Sequence, residues 1–113
     1  MASRASDSAP TIPEIFDHLV AEGQKPSLRR TSGVYEFDFD DGGRWFLRLD
    51  HGTPWLQDSA DDPDVVIDCT AADFIEIAQG KRNLMAAFLA GRIKATGDPA
   101  FALEFRRLVP VAA

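Results

Sequence analysis

Apolar and polar positions along this chain fall into two alternating periods, and the switches between them mark the elements. From Thr11 to Glu22, Ile12, Ile15, Phe16, Leu19 and Val20 recur at helical spacing and share one face. Thr11 with Glu14 matches a capping box, Pro13 fits the first turn, and Gly23 is a natural stop. Residues 24–32 read as a loop. Val34 to Asp40 then alternates strictly, with Tyr35, Phe37 and Phe39 on one face and Glu36, Asp38 and Asp40 on the other. Arg44 to Asp50 alternates likewise, with Trp45, Leu47 and Leu49 on its apolar face. Asp41-Gly42-Gly43 between them is a hairpin turn signal. A three-residue loop at 41–43 keeps the faces matched. It sets Phe39 opposite Trp45, Phe37 opposite Leu47, Asp40 opposite Arg44 and Glu36 opposite Arg48.

A turn at His51-Gly52-Thr53 leads to a short strand, Pro54 to Gln57, and then to an acidic loop, Asp58 to Asp64. Val65 to Cys69 is a fourth strand with Val65, Ile67 and Cys69 on one side. Thr70 caps a helix from Ala71 to about Gln79, whose apolar face holds Phe74, Ile77 and Ala78. Asn83 to Ala90 is a further helix, apolar all round from Leu84 onward, and so expected to touch apolar matter on more than one side. Arg92 to Thr96 is a fifth strand with Ile93 and Ala95 inward. Asp98-Pro99 opens a last helix that presents Phe101, Phe105 and Leu108.

Helix, four strands, two helices, strand, helix: this order predicts an α+β fold in two layers. A five-stranded, mostly antiparallel sheet carries helices on one face. The other face, with Glu36, Asp38, Arg44, Arg48, Lys94 and Thr96, is expected to meet water. Residues 1–10, small and polar, read as a disordered N-terminus, and residues 11–110 as a single domain.

With 113 residues the chain is long enough for one core. Its net charge of −6 argues against a nucleic-acid partner, since phosphate contacts need clustered Lys and Arg, and limits membrane contact to transient encounters. The lone cysteine, Cys69, cannot form an intrachain disulfide and reads as an inert buried thiol. No signal peptide or spanning run is seen, so the expected location is cytoplasmic. His18 and His51 are not spaced as metal ligands. The loop Asp58, Asp61, Asp62 and Asp64 lacks the pattern of a calcium loop, so no metal and no cofactor is expected.

Several residues at fixed spacing carry a family resemblance. They are Asp64-Val65-Val66-Ile67, Gly80-Lys81, Ala87-Phe88-Leu89, Gly91-Arg92-Ile93-Lys94, Gly97-Asp98 and Phe101-Ala102. Over about Gly33 to Leu108 the chain resembles the sterol carrier protein 2 (SCP2) domain family. The resemblance implies a hydrophobic tunnel between sheet and helices, holding a fatty acyl chain, fatty acyl-CoA, a sterol or a similar lipid. It implies a binder and carrier, not a catalyst. Phe101 and Phe105 stand where the family commonly has leucines, and their bulk is expected to narrow the tunnel.

The candidate ligand-binding residues are Trp45 and Leu47 on the strands, Phe74 and Ile77 on the helix after them, and Met85, Phe88 and Leu89 on the apolar helix. Phe101 and Phe105 on the last helix complete the set. Each is equally at home in an ordinary core, and a filling substitution such as Ala87→Phe is the natural way to separate the two roles. Lys81, Arg82, Arg92 and Lys94 lie where a carboxylate or phosphate headgroup would be met, although solvated side chains read the same way. Three rival functions stand beside the carrier, one of them a pure interaction module whose cavity is filled by core side chains. Another is an accessory subunit presenting a lipid, quinone or polyketide-like intermediate to a partner enzyme. The third is an isomerase or cyclase acting in the tunnel, against which every inward strand position is uncharged.

Overall fold

The computed structural model describes residues 10–41 and 43–109, and the N-terminal expectation for residues 1–10 lies, but for Pro10, outside them. The elements follow in the order α1 (Ile12–Glu22), β1 (Gly33–Phe39), β2 (Gly43–Asp50), β3 (Thr53–Gln57), β4 (Val65–Cys69), α2 (Ala71–Ala78), α3 (Leu84–Leu89), β5 (Lys94–Gly97) and α4 (Pro99–Glu104). The strands form one sheet in the order β3-β2-β1-β4-β5. Every pairing is antiparallel except the central β1–β4 pair, which is parallel, so the sheet is mixed.

Local chemistry accounts for the helix ends. The backbone N–H of Thr11 donates to Glu14 Oε1 at 2.8 Å, and the N–H of Glu14 donates back to Thr11 Oγ1 at 3.4 Å. Those bonds to the charged form hold the Glu14 carboxyl below its ordinary range. Asn83 Oδ1 caps α3 by accepting from Ala86 N–H at 2.9 Å, and Asp98 Oδ1 caps α4 by accepting from Ala100 N–H at 2.9 Å. Gly97, with φ +118°, must be glycine on two grounds. A side chain would meet that backbone conformation with strain, and a Cβ there would sit 2.3 Å from the Asp64 carbonyl oxygen.

The core is a block of stacked rings between the sheet and α1, α2 and α4. Phe16 of α1 packs on Phe37, Trp45 and Phe74 at ring separations of 5.3, 5.1 and 5.5 Å. Phe101 stacks on Tyr35 at 4.1 Å, and the Tyr35 hydroxyl donates to the Phe101 carbonyl at 2.8 Å. Burial raises the Tyr35 phenol far above its usual range, so it remains a donor.

Three expectations need correction. The hairpin register is shifted by two. Phe37 faces Trp45, Tyr35 faces Leu47 and Asp38 faces Arg44, with three residues left between Phe39 and Gly43. The face assignment survives because the shift is even. Its cause is tertiary: the N–H of Asp40 donates to the Cys69 carbonyl at 3.2 Å, and Asp41 Oδ1 accepts from Ala71 N–H at 3.1 Å. These bonds draw Asp40 and Asp41 toward β4 and α2 and away from the hairpin ladder. Residues 24–32 are not all loop, since Pro26–Leu28 forms a 3₁₀ turn that buries Leu28 completely. The polar sheet face also conceals one large apolar side chain, Phe46, buried with Glu36 and Gln57 as its cross-strand neighbours.

Candidate functional site

Beside the aromatic block, at the β4–β5 end of the sheet, the two layers part. The floor of the opening comes from Val65 and Ile67 of β4 and Ala95 of β5, all on the side of the sheet that alternation turns toward the helices. Leu84, Met85 and Phe88 of α3 form one wall. Ala102 and Leu103 of α4, with Phe105 just beyond it, form the other. Together with Ile93, Gly97 and Pro99 they line a cavity of about 280 Å³, just below the range of about 300–1,000 Å³ common for small-molecule sites. Among the described residues no titratable side chain lines it.

The short helix α3 explains why the layers part here. Among its residues only Ala87 is buried. Phe88 is 41 % exposed and Leu89 80 % exposed. The expectation that an all-apolar helix must bury several sides is therefore corrected. Six residues give one inward turn; Leu84, Met85 and Phe88 overhang the cavity, and Leu89 faces outward. Ion pairs anchor the segments flanking α3. Arg92 Nη1 lies 3.3 Å from Asp73 Oδ1 of α2, and Arg82 Nη2 lies 2.8 Å from Glu76 Oε1. These two arginines, candidates for a headgroup, are thus committed to carboxylates of α2, whereas Lys81 and Lys94 are exposed at the surface.

Of the nine residues picked from sequence, Met85, Phe88 and Phe105 meet at the cavity. Leu47, Phe74, Ile77 and Phe101 lie in the packed core, and Trp45 is half-buried against Phe16. Leu89 lies on the surface. Sequence reasoning read Val65, Ile67, Ile93 and Ala95 as inward and did not single them out as lining. The missing signal was the position of α3, which an all-round apolar pattern cannot give.

The remaining chemistry is structural. Cys69 is buried, and that burial, with Asp73 and Asp40 nearby, pushes its thiol up to about 12. In the acidic loop Asp64 Oδ2 accepts from Val34 N–H at 2.8 Å, and among the described residues no cluster of three or more potential metal ligands occurs. His51 Nδ1 lies 2.8 Å from Asp50 Oδ1 in an exposed turn. No helix among the described residues is long and apolar enough to cross a membrane.

Comparison with known proteins agrees with this fold. Residues 14–110 match the model of the SCP-2 sterol transfer family. Hydroxysteroid dehydrogenase-like protein 2 of Xenopus tropicalis is 28 % identical over 111 residues, which cover 95 % of this chain and 26 % of that protein. The chain thus spans about a quarter of the length of the curated relatives it first matches. A double mutant of the sec-alkyl sulfatase PisA1 has a TM-score of 0.76 at 24 % identity, over 93 % of this chain and 17 % of that one. Palmitated SCP2L2 from Aedes aegypti has a TM-score of 0.64 at 16 % identity, over 88 % of this chain and 94 % of its own. At such identities both likenesses establish the fold alone.

Proposed function

The chain belongs to the SCP-2 sterol transfer family, and on that premise we propose that it binds one apolar or amphipathic lipid-like molecule in the β4–β5 cavity without transforming it. The observation that carries this reading is the cavity itself, with walls supplied by Val65, Ile67, Met85, Phe88 and other apolar side chains. Burying an apolar chain there gains about 25 cal/mol per Å² of surface removed from water. A lining without titratable groups supports a non-catalytic role, because general acid–base chemistry needs such a group within reach of the ligand.

The test is native mass spectrometry of the purified protein, followed by solvent extraction and uptake of a fluorescent fatty acid. A bound apolar molecule at unit stoichiometry, or saturable uptake, is expected. A protein that carries nothing and takes up neither fluorescent fatty acid nor sterol overturns the reading.

A second reading has one observation in its favour. In Hydroxysteroid dehydrogenase-like protein 2 the matching region is about a quarter of a longer chain, which supports a domain that holds a hydrophobic intermediate for a neighbouring enzyme. The two readings differ in release. A carrier unloads its fluorescent fatty acid to acceptor vesicles unaided; a presenter retains it until the enzyme is supplied.

A further inference from the structure

A second cleft of about 310 Å³ adjoins the apolar cavity, and Leu84 and Met85 line both. Its other walls differ in kind: Gly80, Arg82, Asn83, Arg106 and Val109. Among the described residues no carboxylate lines it. The nearby acids are already engaged, Glu76 by Arg82 at 2.8 Å and Glu104 by Arg107 at 2.8 Å. Arg106 makes no ion pair among the described residues and stays exposed at the cleft.

Charge along the chain reinforces this asymmetry. Residues 80–109 carry Lys81, Arg82, Arg92, Lys94, Arg106 and Arg107 against only Asp98 and Glu104, in a chain of net charge −6. Three of these cations are paired, Arg82 with Glu76, Arg92 with Asp73 and Arg107 with Glu104, so among the described residues the cations of this segment without an ion pair are Lys81, Lys94 and Arg106, and of these only Arg106 lines the cleft.

We propose that the Arg106 cleft receives the anionic headgroup, a carboxylate or phosphate monoester, of an amphiphile whose chain occupies the β4–β5 cavity. The inference rests on the cavity reading above and narrows its ligand class. Arg106 supplies a planar fork of N–H donors that matches either headgroup. Leu84 and Met85 cover the join, where the chain passes from polar to apolar surroundings. Met85, unbranched and adaptable, suits that position. An uncharged sterol offers Arg106 at most a neutral hydroxyl acceptor, so it gains less there than an anionic headgroup does.

The test is calorimetric titration of the full chain with dodecanoate, dodecyl phosphate and dodecanol, each below its aggregation concentration. The two anions are expected to bind roughly tenfold or more tighter than the alcohol, the range of one charge-assisted hydrogen bond. Arg106→Gln is expected to abolish that gap with dodecanol affinity unchanged, and Arg106→Lys to restore part of it. Arg106 is exposed, so circular dichroism and melting should be unaltered in both variants. Equal binding of anions and alcohol, or a gap that survives Arg106→Gln, overturns the headgroup assignment while the cavity reading stands. Inorganic phosphate binding as tightly as dodecyl phosphate makes the cleft a free-anion site and overturns it too. Failure of all three amphiphiles to bind overturns the cavity reading itself, and this proposal with it.

Discussion

The ring of Phe105 lies 5.2 Å from that of Phe37, and Phe105 also lines the cavity. It is the partition between the packed aromatic core and the open space at β4–β5. Tyr35 at 5.5 Å and Phe74 at 6.1 Å hold it on the core side. On the proposed reading, a ligand in the cavity would meet this ring before it could advance between the layers. Replacing Phe105 with leucine removes ring contacts and volume from the partition. The variant is expected to lose about 1–3 kcal/mol of stability in denaturant unfolding. It is also expected to accept longer or bulkier apolar probes than the wild type. A smaller stability loss with no change in the longest fatty acid bound argues that the ring does not limit the cavity.

Ala102 offers the opposite experiment. It is half-buried on α4 and lines the cavity, whereas Ala87, the position that sequence alone suggests, is core and is not among the residues that line it. Ala102→Phe points a large side chain into space already open, so overpacking strain should be small. Fluorescent fatty acid binding is expected to fall at least tenfold with stability changed by less than about 1 kcal/mol. Binding that survives the filled cavity places the ligand elsewhere.

The contrast between those two alanines shows what the sequence could carry. Capping pairs such as Thr11–Glu14 act within one turn of chain, and the alternation of Tyr35, Phe37 and Phe39 records which side of a strand is dry; both are local and both are readable. The hairpin register was not, because Asp40 and Asp41 bond to Cys69 and Ala71, thirty or so residues away. The cavity was half readable for a similar reason. Val65, Ile67 and Ala95 were legible as inward. Whether an inward residue meets a ring or open space depends on which helix lies above it. Phe74 and Met85 carry the same hydrophobic signal, yet one fills the core and the other walls the cavity.

On the outer sheet face, Arg44 lies 3.3 Å from Glu36 and 3.0 Å from Asp38. Desolvation, then the hydrogen bond and like charge of Asp38, outweigh Arg44 and raise the Glu36 carboxyl above 4.5. The folded chain therefore holds this proton to higher pH than the unfolded chain does. Stability from this group is fully present below about pH 4.5 and is lost as pH rises through the elevated folded value. Glu36→Gln removes the charge while Arg44 keeps Asp38. The variant is expected to be more stable than wild type at pH 7, on the order of 0.5–1 kcal/mol, with the difference vanishing near pH 3. A variant less stable at pH 7 would show that the Arg44 attraction dominates.

Cys69 ends β4 with its side chain in the core, where burial, followed by the charges of Asp73 and Asp40, pushes the thiol up to about 12 from 9.0. Only the thiolate reacts, so at pH 8 the native protein presents it in roughly one molecule in ten thousand, behind packed side chains. An aromatic disulfide reagent is expected to leave native protein unlabelled at pH 8 and to modify one thiol promptly in denaturant, which makes labelling a clock for unfolding. The same shift has a thermodynamic side. Below pH 9.0 both states keep the proton; above it the unfolded chain ionises first, so stability falls between pH 9.0 and about 12. Tyr35 titrates late for the same reason, and a Cys69→Val variant isolates the share of the thiol, because only that share should disappear from the alkaline loss of melting temperature. Rapid labelling of the folded protein at pH 8 would mean that β4 opens to solvent on its own, and that the floor of the cavity is a moving one.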